Sequence, residues 1–414
     1  MSESIVCIKT VFFVFILIIF IFVFSTFSYC NYEKYSWAQT DSKDIPTSNT
    51  LDVSDFSNIF SLESASAILI EQNSGKVLYE YNSHEQLRPA SVTKVMTILL
   101  IMEALDNGRI SLEDKVPCSE NAASMGGSQI WLDVREELTV HEMLKAICVV
   151  SANDACVAMA EYLEGSTESF VNKMNIKAKE LGMNDTVFKN CHGIDEEGHV
   201  TSAYDIALMS RELLIKHPDI TKYTTIYMDT LRDGKSELVN TNKLIRNYKG
   251  ATGLKTGSTS IALYNLSASA TRDNLSLIAV IMKAPTTQIR FNEAQKLLDY
   301  GFNNYSYIQF ANKGDVFKSI NVGKGIDSTV DVIYENNAGA LIKKGDSSNI
   351  EQILTIDENI VAPISENQQL GKITYILNNE AVGEVKLVSQ SNIEKLNIAS
   401  EVSKVIFIWF NILR

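Results

Sequence analysis

Several signatures are missing from this chain of 414 residues, and each absence closes a class of reading. There are 6 cysteines but no Cys-x-x-Cys, and 5 histidines but no His-Glu-x-x-His. Zinc chemistry therefore has no support, and no other motif calls for a metal or a cofactor. Lys and Arg number 37 against 50 Asp and Glu, a net charge of -13 with no basic patch. A nucleic-acid partner is disfavoured, because phosphate binding rests on clustered cations. Proline is scarce, at 6 residues, in a composition otherwise ordinary for a globular protein: 45% hydrophobic and 21% charged. The length allows two or three domains and at least one large core.

One long hydrophobic run is present. Val11 to Phe27 is apolar apart from Ser25 and Thr26, and Lys9 precedes it. Residues 1–30 read as an export signal or an uncleaved N-terminal anchor, with cleavage after Cys30 compatible with Ser28-Tyr29-Cys30. Tyr29 argues against a lipid-modified Cys30. On either reading the rest of the chain is exported. Residues 31–60, rich in Ser, Thr, Asp and Asn, read as a linker. Cys148 and Cys156 fall in apolar helical patterns and are expected as buried thiols. His192 and His199 flank the acidic stretch Asp195-Glu196-Glu197, which is expected to be a solvated loop rather than a metal site.

From 61 to 303 the pattern is α+β. A hairpin is expected over Ser64–Ile70 and Val77–Tyr81, then a helix entered at Arg88-Pro89-Ala90-Ser91 and apolar nearly all round from Val95 to Leu105. Thr139-Val140-His141-Glu142 has capping-box spacing and opens a helix to about Val150. Further helices are expected at Asp154–Leu163, Glu168–Leu181 and Ser202–Lys216. A strand starts at Leu254, a hairpin spans Tyr264–Thr271 and Leu275–Met282, and a last helix, Ile289–Tyr300, stops at Gly301. Strands at both ends must share one antiparallel sheet. From 304 to 390, short alternating runs separated by Gly, Asn and Asp form a small all-β domain. Over 391–414 helical spacing returns, with Ile398, Val402, Val405, Trp409 and Ile412 on one face and Asn397, Glu401 and Lys404 opposite. This tail suits a helix lying in a membrane surface, or one docked on the protein itself.

Three short motifs carry the chemistry. Ser91 opens the only Ser-x-x-Lys, with Lys94 one helical turn on and within reach of its hydroxyl. Serine so placed is an acyl-transfer nucleophile and the lysine its base, provided burial or a nearby cation lowers the lysine's pKa. The bland alternative, a cap and a surface lysine, fits poorly beside an all-apolar helix. Ser151-Ala152-Asn153 breaks two apolar helices, where a hydroxyl can relay a proton and an amide can hold a peptide carbonyl. The same spacing recurs at Ser119-Glu120-Asn121 and Ser347-Ser348-Asn349, so placement, not spelling, singles it out. Lys255-Thr256-Gly257-Ser258-Thr259 supplies a third wall: Lys255 and Thr256 to hold a carboxylate, Gly257 to allow close approach of a substrate, and the Ser258 amide, with that of Ser91, as an oxyanion hole.

These motifs, with Ser124-Met125-Gly126-Gly127-Ser128 and Asn190-Cys191-His192-Gly193, resemble the low-molecular-mass penicillin-binding proteins that are serine D-alanyl-D-alanine carboxypeptidases. The resemblance covers nearly everything after the linker. It implies a transpeptidase-like domain followed by a small β domain, an acyl-enzyme at Ser91, Lys94 as base, Ser151 in proton relay and Lys255 as substrate contact. It further implies peptidoglycan stem peptides ending in D-Ala-D-Ala as substrates, β-lactams as ligands, a membrane-surface tail, and Arg290 near the substrate carboxylate. Two places depart from the family pattern: Cys191 stands where proline is usual, and Ile261-Ala262-Leu263 replaces a charged residue, a small residue and glycine. The competing readings are a class A-like β-lactamase, for which only Glu180-Leu181-Gly182-Met183-Asn184 offers a glutamate, and a non-hydrolytic cell-wall binder.

Overall fold

The structure is a computed structural model that describes residues 60–344, 350–357, 359–377 and 379–397. The apolar run at Val11–Phe27, the linker, Ser347-Ser348-Asn349 and the tail beyond Asn397 lie outside the described residues. Among the described residues no helix is long and apolar enough to cross a membrane.

Five antiparallel strands make the main sheet: β1 (Ser66–Glu71), β2 (Val77–Tyr81), β3 (Ala251–Thr259), β4 (Leu263–Arg272) and β5 (Leu275–Ala284), in the order β2-β1-β5-β4-β3. The first strand of the chain thus pairs with the last, Ser66 opposite Met282 through Glu71 opposite Leu277. Side chains of a strand alternate between faces. In β1, Ile68 and Ile70 enter one core with the helices, while Ala67 and Leu69 enter a second under the last helix. Both faces are dry, so the central strands β1 and β5 are apolar along most of their length.

On the first face pack α1 (Lys94–Asp106), α2 (Val140–Val149), α3 (Asn153–Glu164), α4 (Thr167–Glu180) and α5 (Ala203–Lys216). α1 buries ten of its thirteen residues, as its all-round apolar sequence requires. The capping box at α2 is formed in full: Glu142 N–H donates to Thr139 Oγ1 and Thr139 N–H to the Glu142 carboxylate. α6 (Thr287–Asn304) covers the other face. It runs past Gly301, against expectation. That glycine is there for packing: a Cβ would overlap Leu277 and press on Leu69.

Asn304 leads directly into β6 (Tyr305–Ala311), a strand not foreseen, which pairs with β9 (Ala338–Lys343). The remaining strands, β7 (Val316–Asn321), β8 (Thr329–Tyr334), β10 (Glu351–Ile356), β11 (Gln369–Leu377) and β12 (Glu380–Ser389), form a second sheet in the order β7-β8-β12-β11-β10. This β part does not stop at Gln390, where the composition changes. Ile393 is buried in its core and exchanges two 2.9 Å backbone hydrogen bonds with Ile364, and Leu396 N–H reaches Lys324 O. Two small antiparallel strand pairs were also not foreseen: Lys115–Pro117 with Glu137–Thr139, and Met228–Leu231 with Ser236–Val239.

Candidate active site

Ser91 sits in a single 3-10 turn, Ala90–Thr93, that delivers the chain into α1. Pro89 sets the turn's entry, and Ala90 is forced to φ +48. Two glycines press on this turn. A Cβ at Gly257 would lie 2.9 Å from the amides of Ser91 and Val92, and one at Gly193 would overlap the Ala90 carbonyl. Gly257 was expected to admit a substrate backbone. In the structure it admits the protein's own turn, so β3 is pinned against the nucleophile. β3 is the outer strand of its sheet, which leaves alternate backbone groups unpaired along its free edge.

Lys94 is fully buried, and all three protons of its ammonium are taken. They go to Ser91 Oγ at 3.0 Å, Asn153 Oδ1 at 2.6 Å and the His192 carbonyl at 2.6 Å. Burial lowers its pKa below the ordinary lysine value. Lys255 is buried too, with Nζ 2.8 Å from Thr256 O, and its pKa is driven well below normal by burial first, then by Lys94 and Arg290. The cation-on-cation effect expected to act on Lys94 thus falls on Lys255.

Ser151 occupies the break between α2 and α3 at φ +67, a left-handed conformation unusual for a serine. It is 3% exposed, and its Oγ has no partner among the described residues. Asn153 was expected to hold a substrate carbonyl. Its oxygen holds Lys94 and its Nδ2 donates to Gly126 O at 2.7 Å, which leaves one Nδ2 proton, the kind of donor a carbonyl contact uses. Thr256 Oγ1 meets Thr241 Oγ1 at 2.7 Å. Ser258 is exposed at the end of β3, while the Thr259 hydroxyl is engaged by Ala262 N–H at 2.9 Å. Arg290 is 6% exposed on α6, and its Nη1 donates to Asn265 O at 3.1 Å and Gly257 O at 3.3 Å. It braces β3 and β4 from behind, with its Nε unpaired among the described residues.

The acidic stretch Asp195-Glu196-Glu197 is a loop with Glu196 and Glu197 exposed, as expected, but the histidines that flank it turn inward. His199 is buried, its Nδ1 accepts from Lys189 N–H, and its Nε2 lies 2.8 Å from Thr93 Oγ1. Burial lowers His199 to about 4, and burial with the charge of Lys94 lowers His192 to about 3, so both are neutral at pH 7. Asn190 Oδ1 accepts from the amides of His192 and Gly193, which aims the His192 carbonyl at Lys94 and the Cys191 carbonyl at Thr97 Oγ1. The only sequence signal for this wall was the string Asn190-Cys191-His192-Gly193 itself. Cys148, Cys156 and Cys191 are buried free thiols. Ser119 of the look-alike triplet merely caps a short helix, accepting from Ala122 N–H. Glu180 is exposed at the end of α4 and pairs with Lys177, away from the hydrogen bonds of Ser91, Lys94 and Asn153.

Residues 53–286 match the family model described as D-alanyl-D-alanine carboxypeptidase. The chain belongs to that family. Residues 305–395 match a second model, the C-terminal domain of penicillin-binding protein 5. The D-alanyl-D-alanine carboxypeptidase DacF of Bacillus subtilis is 46% identical over 351 residues, covering 84% of this chain and 90% of its own length. Penicillin-binding protein 5 of Haemophilus influenzae superposes with a TM-score of 0.69 at 30% identity, covering 81% of this chain and 99% of that one. Penicillin-binding protein D2 of Listeria monocytogenes, in its ampicillin-bound form, gives 0.54 at 30% identity over 59% of this chain and 98% of that one. The chain is a serine-type D-alanyl-D-alanine carboxypeptidase, with the transpeptidase-like α+β fold followed by an all-β domain.

Proposed function

We propose that this carboxypeptidase trims the terminal D-alanine from peptidoglycan stem peptides through an acyl-enzyme at Ser91. The carrying observation is Lys94: buried, lowered in pKa, and 3.0 Å from Ser91 Oγ. Neutral Lys94 takes the Ser91 proton as Oγ attacks the penultimate D-alanine carbonyl. Amides at Ser91 and Ser258 receive the oxyanion, a contact worth about 3 kcal/mol per donor. The C–N bond then breaks, and the proton passes through Ser151 to the departing amine. Water hydrolyses the ester, with Lys94 again as base. Lys255 and Thr256 hold the terminal carboxylate, and Arg290 adds positive charge from behind the strand. Asn153, Gly257 and Thr259 keep the site in shape.

The two lysines divide the work by charge. Two buried cations side by side disfavour each other. A substrate carboxylate beside Lys255 favours the charged form there, and so disfavours charge on Lys94, the group that must be neutral. Penicillin, which also presents an acyl bond beside a carboxylate, acylates the same serine. The enzyme works outside the cytoplasm, held at the membrane surface by the tail beyond Asn397. The amphipathic pattern of that tail, ending in Trp409 and Phe410, supports this.

One experiment tests the reading: the mature protein, and a version ending at Asn397, are given benzylpenicillin and a D-Ala-D-Ala peptide. Mass spectrometry should find the drug on the Ser91 peptide in both, with D-alanine released from the substrate. Only the longer form should sediment with lipid vesicles. Rapid drug hydrolysis without an adduct would overturn the assignment, and vesicle binding by the shorter form would overturn the role of the tail.

A further inference from the structure

Trp131 is 75% exposed, yet it is not on a loose loop. Its neighbours Ile130 and Leu132 are both buried, and their amides donate to the carboxylate of buried Asp154 at 3.1 Å. From the other side Arg232, fixed by Glu136 and Ser236, donates to Ile130 O at 2.9 Å and Trp131 O at 3.2 Å. Pinned at both ends, Trp131 takes φ +58, a conformation that a bulky residue adopts only when its surroundings enforce it. The result is an indole held out in solvent by a rigid frame.

That frame is continuous with the catalytic machinery. Asp154 follows Asn153 in the chain. Asn153 holds Lys94 with its side-chain oxygen and Ser128 O with its amide, three residues before Trp131. Trp131 therefore belongs to the segment that is hydrogen-bonded to the Ser151–Asn153 break and to Asp154 after it. In the proposed reaction the leaving group is one D-alanine, and its carboxylate is taken by Lys255 and Thr256. Any substrate contact beyond the catalytic groups must come from the acyl half.

We infer that Trp131 is a specificity-determining residue that receives the side chain preceding the D-Ala-D-Ala unit. An indole face favours a long aliphatic side chain, and most of all one ending in an ammonium. Entropy favours the arrangement as well, since the indole is already fixed before the substrate arrives. This inference rests on the Ser91 reading above.

The test compares kcat/KM for N-acetyl-Lys-D-Ala-D-Ala and N-acetyl-Gly-D-Ala-D-Ala in wild-type, Trp131→Ala and Trp131→Phe proteins. Trp131→Ala should lower the value for the lysyl peptide roughly 3- to 30-fold and leave the glycyl peptide within about twofold, with Trp131→Phe in between. Equal losses on the two peptides, or no loss on either, overturn the assignment. Benzylpenicillin labelling of Ser91 runs alongside. If wild type and Trp131→Ala are both labelled while the peptides lose equally, Trp131 alone was misassigned. If wild type is not labelled at Ser91, the catalytic reading falls and takes this inference with it.

Discussion

Between Phe60 and Asn304 the buried side chains include Lys94, Lys255, Arg290, Asp154 and Glu293; from Tyr305 onward, tyrosines aside, Ser389 is the one polar side chain buried among the described residues. The two regions also spend backbone strain differently. In the catalytic part, left-handed φ values include Ala90 and Ser151, which bear directly on the nucleophile and the relay, beside ordinary turn positions such as Asn82, Asp273 and Asn274. In the β part they fall on Lys324, Asn367 and Asn379, at exposed turns, and asparagine tolerates that conformation. Burying a charge is costly unless it is fully hydrogen-bonded, and strain persists only where its surroundings enforce it. The β part buries no charged side chain among the described residues and keeps its left-handed positions at exposed turns, because nothing in it must hold a reactive group. Past an irregularity at its start, its strand β11 alternates, burying Ile373, Tyr375 and Leu377.

The sharpest way to break this comparison is to damage each region once. Lys94→Ala should reduce acylation by penicillin and by peptide roughly 10²- to 10⁴-fold, because no base remains. Tyr375→Ala removes a fully packed ring from the β core and should cost that core about 3–5 kcal/mol. Folded Tyr375→Ala protein should still be acylated at the wild-type rate. Rates of labelling by a fluorescent penicillin, set beside thermal melts, read both effects. If Tyr375→Ala slows labelling per folded molecule, the regions are coupled and the contrast is wrong.

Strain at Ser151 offers a smaller, two-sided test. Glycine adopts φ +67 without penalty, so Ser151→Gly should stabilise the fold by about 1 kcal/mol. It should also slow peptide turnover on the order of 10²-fold, since the unpartnered hydroxyl that relays the proton is gone. A higher melting temperature together with lower kcat is expected. A variant that is less stable, or as active as wild type, would show that Ser151 is neither strained nor used as argued.

Much of this was legible in the sequence, for local reasons. The capping box of α2, the apolar circumference of α1 and the Ser-x-x-Lys spacing each depend on residues within one or two helical turns. Closure of the sheet by β1 and β5 followed from having strands at both ends. What escaped depends on distant partners. Gly301 spells a helix stop, and only the leucines of β1 and β5 show that it is a contact. The acidic residues after His192 are solvated as they read, but nothing local shows that His199 turns inward to Thr93 and Lys189. Asn153 reads as a substrate ligand, and nothing local to it shows that its oxygen also holds Lys94. Ile393 lies past a change in composition, and its strand partner Ile364 alone assigns it to the β part.

The smallest expected effect concerns the charge shared by the two buried lysines. Lys94 must be neutral to accept a proton, so turnover should rise with pH through its lowered pKa. His192 and His199, at about 3 and about 4, are already neutral over that range and contribute no limb there. A bound substrate carboxylate draws positive charge to Lys255, which pushes the Lys94 pKa lower still. The limb in kcat, which reports the bound enzyme, should therefore lie at lower pH for a peptide with a free terminal carboxylate than for its methyl ester. Lys255→Gln should bring the two limbs together by removing the group that senses the carboxylate. Paired pH–kcat profiles on the two peptides decide it: coincident limbs in the wild type would mean that Lys255 holds the carboxylate without tuning the base.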